Sequence, residues 1–127
     1  AAGTAVTIQF TPHLIPVNRG ILTTLYLAPT EHFNDAKGAV SLGEKVAACY
    51  HAAYGHEPFV RLLEGKALPD TKNVVGTNVI EIAWRLDART GRLIVMSAED
   101  NLVKGASGQA VQSMNILCGF PETAGLV

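Results

Sequence analysis

The sequence predicts an α+β domain with a mainly antiparallel (mixed) β-sheet and helices packed on one of its faces. Segments rich in β-branched and aromatic residues are interrupted by two segments of helical periodicity, in the order β-β-α-β-β-β-α. With 127 residues, 48% of them hydrophobic, the chain can bury a core. Its formal net charge of −1 argues against nucleic acid as the main partner. No apolar run approaches the roughly 20 residues that a membrane span needs.

The first two strands flank a loop that contains proline. Alternating Val6, Ile8 and Phe10 predict a strand over residues 4–10, and β-forming residues predict a second strand over 21–28. The prolines between them cannot donate to a sheet ladder, so the connection is predicted to be a loop or an irregular edge.

That loop carries three candidate ligand-binding residues, His13, Asn18 and Arg19. The planar guanidinium of arginine donates two parallel hydrogen bonds, which suits a phosphate or a carboxylate. From the residues alone, a surface ion pair is the favoured alternative for Arg19. A histidine that is satisfied within the loop is the favoured alternative for His13.

The first helix is predicted to begin with a capping box formed by Ser41 and Glu44, and to end at Gly55. A short strand over residues 59–63 and a loop over 64–73 follow.

A long strand over residues 74–86 and a returning strand over 92–98 are predicted to form an antiparallel hairpin. The glycine of the turn at 87–91 supplies a positive φ. Gly76, near the start of the long strand, indicates a bulge or a close backbone approach. The last helix is predicted over 106–118.

The junction between the last strand and the last helix, residues 100–110, is the principal candidate site. A helix N-terminus offers unpaired backbone N–H groups, and its dipole favours anions. Gly105 and Gly108 allow a ligand to approach the backbone, and Lys104 places a cation beside the turn. The alternative is a helix start whose glycines serve packing. Three amides of the last helix could contact a ligand or be solvated: Gln109, Gln112 and Asn115.

Cys49 and Cys118 have apolar neighbours and are predicted to be small buried side chains. Their spacing does not indicate a metal site. The chain also lacks a glycine-rich dinucleotide fingerprint, so a dinucleotide-dependent activity would need elements from elsewhere. The N-terminus has no signal-peptide pattern, and the absence of an initiator Met suggests a fragment or a processed chain.

Four segments resemble the N-acetyl-γ-glutamyl-phosphate reductase family of arginine biosynthesis, and together they cover the chain in order. The resemblance is carried by DNLVKGASGQAVQSMNILCGFPETAG at 100–125, FTPHLIPVNRGI at 10–21, AAYGHEPFVRLL at 52–63 and NVVGTNVIEIA at 73–83. The family is similar in plan to glyceraldehyde-3-phosphate and aspartate-semialdehyde dehydrogenases.

The resemblance implies a fold like the C-terminal domain of glyceraldehyde-3-phosphate dehydrogenase. Residues 1–99 would be part of a catalytic and dimerisation domain, and 100–127 a helix and tail that return to an NADP-binding domain. The family's nucleophilic cysteine, in a Gly-Cys-Tyr-Pro-Thr context, is absent, and neither Cys49 nor Cys118 matches that context. No catalytic residue is therefore assigned, and the chain alone is expected to be inactive.

The implied reaction is the NADPH-dependent reduction of N-acetylglutamyl 5-phosphate to the 5-semialdehyde by a cytoplasmic enzyme. By similarity to the related dehydrogenases, Asn101 would hydrogen-bond the nicotinamide carboxamide. Lys104, Gly105 and Ala106 would line the same pocket.

Arg19, with His13 and Asn18, would hold the anionic ends of the acyl phosphate substrate. The implied partners are the N-terminal NADP-binding portion and further copies of the chain in a dimer or tetramer. Neither nucleic acid nor a membrane is implied, and no metal.

Three alternatives stay open from the sequence. The chain could be a non-catalytic ligand-binding or dimerisation module of the same fold. It could be an autonomous enzyme that uses Cys49 or Cys118, which a rapidly alkylated thiol of low pKa would indicate. Finally, it could belong to a sister reductase that acts on a carrier-linked aminoadipyl phosphate.

Overall fold

The computed structural model of the protein describes residues 5–29 and 42–127. Along the chain its strands and helices are β1 (Ile21–Leu27), α1 (Leu42–Tyr54), β2 (Val60–Leu63), α2 (Thr71–Val74), β3 (Ile80–Asp87), β4 (Arg92–Glu99) and α3 (Gly108–Cys118). A π-helical turn, Val103–Ser107, leads directly into α3. Within the described ranges, no helix has the length and hydropathy of a membrane span.

The strands form a mixed four-stranded sheet in the order β1-β4-β3-β2. β4 pairs antiparallel with both β1 and β3, whereas β2 runs parallel to β3. This arrangement confirms the predicted α+β class with a mainly antiparallel, mixed sheet.

The β3–β4 hairpin closes as predicted, with Gly91 at a φ of 65°. The Gly91 N–H donates to the Asp87 carbonyl oxygen over 2.8 Å, and the Asp87 side chain accepts from the Arg89 N–H over 3.0 Å. Glycine takes this left-handed conformation without a Cβ penalty, so the turn can be located from the sequence.

Helix α1 packs against β2 and β3. The Tyr50 ring stacks on Trp84 of β3 with centroids 4.9 Å apart, and Val46 of the same helix is buried. Val46 and Tyr50 are four residues apart, about one helical turn, so they lie on the same, sheet-facing side of α1. Ser41, one half of the predicted capping box, lies outside the described residues.

A buried carboxylate holds the segment before β3 to the sheet. Glu81 of β3 is 2% exposed and accepts hydrogen bonds from Arg61, from the Asp70 N–H and from the Asn73 amide. A buried charge is tolerated when it is paired and hydrogen-bonded in this way. The side chain of Asp70 also caps α2, a short helix whose first three residues lie in the segment predicted as loop.

Two strand predictions were wrong. Residues 5–10 are irregular, and Phe10 is 83% exposed. Alternating apolar residues need a neighbouring strand, and in the described part of the chain none pairs with them. The long strand begins at Ile80 rather than at 74, because Gly76 turns the chain with a φ of 78°.

Both cysteines are exposed, so the prediction that they are buried was also wrong. Cys49 lies on α1 and Cys118 ends α3. Apolar neighbours in sequence do not bury a helical side chain when the helix presents that side to solvent.

Candidate functional site

The centre of the predicted site is the carboxylate of Asp100, which is fully buried at the end of β4. It accepts hydrogen bonds from Arg19 Nη2 over 2.8 Å and from the Gly76 N–H over 2.7 Å. It also accepts from the N–H groups of Leu102 and Val103 over 2.8 and 2.9 Å. One side chain therefore joins the loop before β1, the turn before β3 and the start of the last helical segment.

These partners keep Asp100 ionised. Burial by itself raises the pKa of the carboxyl, but the hydrogen bonds from Arg19, Gly76, Val103 and Leu102 outweigh it and hold the pKa well below its ordinary range. A carboxylate that accepts several N–H groups is expected to behave in this way.

The carboxylate of Asp100 occupies the position at the helix N-terminus where a ligand anion could otherwise bind. The first N–H groups of the helical segment, those of Leu102 and Val103, already donate to its carboxylate. Of the two alternatives that the sequence left open here, the structure supports the helix start without a ligand for these two N–H groups. A side-chain oxygen that satisfies them is the ordinary solution at a helix start.

The segment then makes a π-helical turn. The N–H of Gly105 donates to the Asp100 carbonyl over 2.8 Å, and that of Ser107 to the Leu102 carbonyl over 3.0 Å. Such wide turns are rare and are often found at functional sites. Gly105 and Ala106 are exposed on this turn, so both are accessible to a ligand.

The side chain of Asn101 is oriented by a backbone donor. Its Oδ1 accepts from the Gly20 N–H over 2.8 Å. A peptide N–H can only donate, which assigns the oxygen and the nitrogen of this amide. Asn101 Nδ2 makes no hydrogen bond to the described residues and is not among their buried, unpaired polar atoms. The side chain therefore offers a hydrogen-bond donor.

Arg19 is half-buried, and its Nη2 lies 2.8 Å from either oxygen of Asp100. The ion pair that was considered as its alternative role exists, but the carboxylate is buried rather than at the surface. Within residues 5–29 and 42–127, the Nε of Arg19 is buried and has no acceptor. His13 and Asn18 are exposed, and no described residue forms a hydrogen bond with either.

Lys104 has partners inside the protein. Its Nζ donates to Gln112 Oε1 over 2.8 Å and lies 5.7 Å from the centroid of the Phe59 ring. Gln112 also accepts from Asn78 Nδ2 over 3.0 Å and donates to Glu122 Oε1 over 2.7 Å. The ammonium is thus held in a network that links α3 to the chain before β3 and to the tail.

The two glycines of the junction have different surroundings. A Cβ on Gly108 would lie 2.4 Å from Asn78 Oδ1 and 2.7 Å from Val103 Cγ1, so this buried glycine serves internal packing. Of the two roles that the sequence left open for this glycine, the structure supports packing. A Cβ on Gly105 would meet its nearest neighbour, the Asp100 carbonyl oxygen, at 3.2 Å.

No role was predicted for three contributors to the site, Asp100, Gly20 and Asn78, although Asp100 lies in the predicted segment 100–110. The position of Asp100 just before a helical segment is a capping signal that could have identified it. The roles of Gly20 and Asn78 depend on distant parts of the chain, so no local signal marks them.

Helix α3 presents an apolar surface that no described residue covers. Its most exposed members are Met114, Ile116, Leu117 and, just beyond the helix, Phe120, with exposures of 49, 58, 86 and 56%. The tail after α3 is tied back by buried Asn115, whose Nδ2 donates to the carbonyls of Glu122 and Ala124. A cluster of this kind is typical of an interface.

A separate open cleft of about 420 Å³ lies beside α1. His51, Glu64 and Trp84 are among its lining residues, and His51 Nε2 is 2.6 Å from Glu64 Oε1. The cleft contains none of the residues predicted for the site.

Comparison with known proteins assigns the chain to a family. Residues 1–101 match the family model described as semialdehyde dehydrogenase, dimerisation domain. The chain is 54% identical over 125 residues to a protein of Citrifermentans bemidjiense named N-acetyl-gamma-glutamyl-phosphate reductase, covering 98% of this chain and 34% of that protein.

Proteins of the same name from two other organisms show a similar relationship. Those of Akkermansia muciniphila and Pelotomaculum thermopropionicum are each 53% identical over 126 residues, covering 99 and 98% of this chain and 34% of each relative. The chain therefore spans about a third of the length of the curated relatives it matches. Because the family model matches most of its length, the chain belongs to the semialdehyde dehydrogenase dimerisation-domain family.

Proposed function

We propose that the chain is the C-terminal part of an NADP-dependent reductase that converts N-acetylglutamyl 5-phosphate to N-acetylglutamate 5-semialdehyde. The observation that carries this proposal is the oriented amide of Asn101, in a chain 54% identical to a relative named for that reaction. The names of the relatives favour the acetylglutamyl substrate over the carrier-linked aminoadipyl phosphate.

The cofactor proposal is supported by the chemistry of Asn101. Its Oδ1 is engaged by Gly20, so Nδ2 can donate to the carbonyl oxygen of a nicotinamide carboxamide. Such a bond would fix which face of the ring meets the substrate. NADPH, when bound, supplies the hydride, and the protein supplies orientation.

Three neighbours of Asn101 are proposed to line the same pocket. Gly105 and Ala106 are exposed on the π-helical turn, which leaves their backbone accessible to the cofactor. Lys104 is held by Gln112 and Phe59, so it would contribute a fixed positive charge near the turn rather than a mobile one.

Arg19 is proposed to bind the anionic end of the acyl phosphate, together with His13 and Asn18 of the same loop. Its Nη2 is used by Asp100, so the substrate would have to meet the remaining donors of the guanidinium. The ion pair orients the guanidinium, which lowers the entropic cost of holding a substrate anion. His13 and Asn18 are exposed and accessible for this role.

The missing catalytic groups are proposed to lie in the N-terminal portion of the longer protein. Residues 1–99 would form part of the catalytic and dimerisation domain, and residues 100–127 would return to the NADP-binding domain. The uncovered apolar surface of α3, which includes Leu117 and Phe120, supports this contact.

A homo-oligomer is proposed from the family description and from β1. Every residue of this edge strand is exposed in the described structure, including the apolar Leu22 and Tyr26 at 63 and 65%. Such side chains are normally covered by another layer of protein. They therefore favour a face of β1 as part of the subunit interface.

The experiment that tests the function is complementation. The chain is supplied with N-acetylglutamate semialdehyde, phosphate and NADP⁺, alone and together with the N-terminal portion. We expect no turnover alone and turnover once the N-terminal portion is present. Turnover by the chain alone would mean that Cys49 or Cys118 is the nucleophile. No turnover by the full-length protein would favour a non-catalytic module of the same fold.

A further inference from the structure

We propose that Asp100 is a positioning residue that holds the Arg19–Gly20 segment against the end of β4, and so fixes the Asn101 amide as a hydrogen-bond donor toward a carboxamide carbonyl. This inference rests on the proposed function, because the acceptor is the nicotinamide carboxamide of NADP. It concerns how the donor is held in place, which the family assignment does not address.

Two hydrogen-bonded contacts join the segments Arg19–Gly20 and Asp100–Asn101, which are 81 residues apart in the chain, and we call this pair of contacts the clasp. Arg19 pairs with Asp100, and the adjacent Gly20 N–H donates to the adjacent Asn101. Two consecutive residues of one segment thus bond to two consecutive residues of the other. A single bond would leave the Gly20 segment free to pivot, whereas two bonds fix its position.

Gly20 is suited to this contact because it lacks a side chain. Its φ is 116°, a conformation that L residues rarely adopt. A Cβ at this position would lie 2.7 Å from the side chain of Thr71. The peptide N–H can therefore be presented to Asn101 only by glycine without displacement of the backbone.

Asp100 fixes the other side of the clasp. Its carboxylate binds the N–H groups of Leu102 and Val103, which immediately follow Asn101. It also binds the Gly76 N–H, which comes from a third segment. The backbone on both sides of Asn101 is therefore held by the same buried group that holds Arg19.

The clasp selects one orientation of the Asn101 amide. With Gly20 donating to Oδ1, the end that remains is the NH₂ group, which cannot accept. If the clasp is lost, the amide can rotate and present either end to a ligand. The orientation of the Asn101 amide, and not only the presence of asparagine at this position, would then determine how well the enzyme distinguishes a strong hydrogen-bond acceptor on the ligand from a weak one.

The test uses the full-length enzyme and equilibrium binding of two oxidised cofactors, NADP⁺ and its thionicotinamide analogue. Sulfur in the thioamide is a weaker acceptor than the carboxamide oxygen, so the ratio of the two dissociation constants reports the donor. We expect the wild-type enzyme to favour NADP⁺ by about 2- to 10-fold, the range for one hydrogen bond. Asn101→Ala should bring this ratio close to one.

Asp100→Asn should also bring the ratio close to one, although Asn101 is still present. In the variant that combines Asp100→Asn with Asn101→Ala, the ratio of the two dissociation constants should be no closer to one than in Asn101→Ala alone. Asp87→Asn is the matched control, because it removes a carboxylate that accepts backbone N–H groups at the distant hairpin turn. It should keep the wild-type ratio even if stability falls.

A second measurement, hydrogen exchange, needs no cofactor, and its result for the wild type can be interpreted even if no variant folds. Hydrogen exchange at the Gly20 amide of the cofactor-free enzyme should be slow in the wild type, because that N–H is bonded to Asn101. It should accelerate in Asn101→Ala and in Asp100→Asn. Fast exchange in the wild type would overturn the proposal whether or not the variants can be purified.

The outcomes separate this inference from the proposed function. If Asn101→Ala removes the discrimination and folded Asp100→Asn retains it, the positioning role is overturned and the cofactor contact stands. If Asn101→Ala leaves the ratio unchanged, the proposed cofactor contact is overturned together with the positioning role.

Discussion

The peptide N–H of Gly20 donates to Oδ1 of Asn101 over 2.8 Å, although the two residues are 81 positions apart in the chain. The adjacent residues, Arg19 and Asp100, form an ion pair in which the carboxylate is fully buried. Together these contacts convert two separate sequence motifs into one site.

Asn101→Ala in the complete enzyme should weaken the use of NADP by about 1–3 kcal/mol, the cost of leaving a buried polar partner unsatisfied. Asn101→Asp is the sharper comparison. An aspartate can still accept from the Gly20 N–H, but it replaces the free donor with an acceptor. Steady-state kinetics should therefore show a cofactor defect for both variants. Unchanged kinetics would remove Asn101 from the cofactor site.

Arg19→Ala should raise the KM for the acyl phosphate more than the KM for the cofactor. It should also destabilise the protein by about 2–3 kcal/mol, below the usual range for breaking a buried pair, because Asp100 retains three backbone donors. Kinetics and thermal unfolding must therefore be measured on the same preparation. A larger effect on the cofactor KM would contradict the substrate role of Arg19.

The stability of the protein should fall at acid pH partly through Asp100. Its pKa is lowered in the folded state from an ordinary value of 3.8, so its contribution is fully present above that value and is lost as the pH falls toward the folded pKa. Unfolding should be followed from neutral pH to below pH 3 for the wild type and Asp100→Asn. The variant should be less stable at neutral pH, and the difference should shrink as the pH falls. A difference that stays constant would show that the charge of Asp100 is not responsible.

Gly108→Ala and Gly105→Ala form a matched pair, because both glycines lie in the helical segment and neither has a positive φ. The Gly108 variant places a methyl group 2.4 Å from Asn78 Oδ1 and should cost about 1–3 kcal/mol of stability through overpacking. The Gly105 variant meets its nearest atom at 3.2 Å, and the higher helix propensity of alanine offsets that contact. Denaturant unfolding should rank Gly108→Ala below Gly105→Ala. Equal stabilities would contradict the packing role of Gly108.

Cys49→Ser and Cys118→Ser should each retain activity in the complete enzyme, because the proposed nucleophile lies in the N-terminal portion. Both thiols are exposed in the described structure and should react with a small alkylating reagent without denaturant. Cys118 ends the helix whose apolar surface is proposed to meet the N-terminal portion, so its labelling should slow in the complete enzyme. Activity lost in step with replacement of either cysteine would make it catalytic.

Local chemistry explains which sequence predictions were confirmed. The turn at Gly91, the end of α1 at Tyr54 and the end of α3 before Gly119 all coincide with glycines, and Gly91 and Gly119 take a positive φ that other residues rarely adopt. The β3–β4 hairpin follows from alternation and turn chemistry within a short stretch. Such signals act between neighbours in the chain, so they can be read without a structure.

The sequence predictions that were wrong concern features that depend on contacts between distant parts of the chain. Val6, Ile8 and Phe10 alternate like a strand, but they remain exposed because no described strand pairs with them. The apolar neighbours of Cys49 and Cys118 did not decide on which side of its helix each cysteine lies. Whether a strand is paired, or a helix face is buried, depends on segments that are distant in the sequence.

By itself, the sequence determined the α+β class, the hairpin, the two long helices and the two motifs that contain Arg19 and Asn101. Only the tertiary structure decided that Arg19 and Gly76 bind Asp100, and that Gly20 orients Asn101. It also decided that Gly108 serves packing against Asn78. The physical reason is that hydrogen-bond partners and steric contacts between distant residues form only once the sheet brings their segments together.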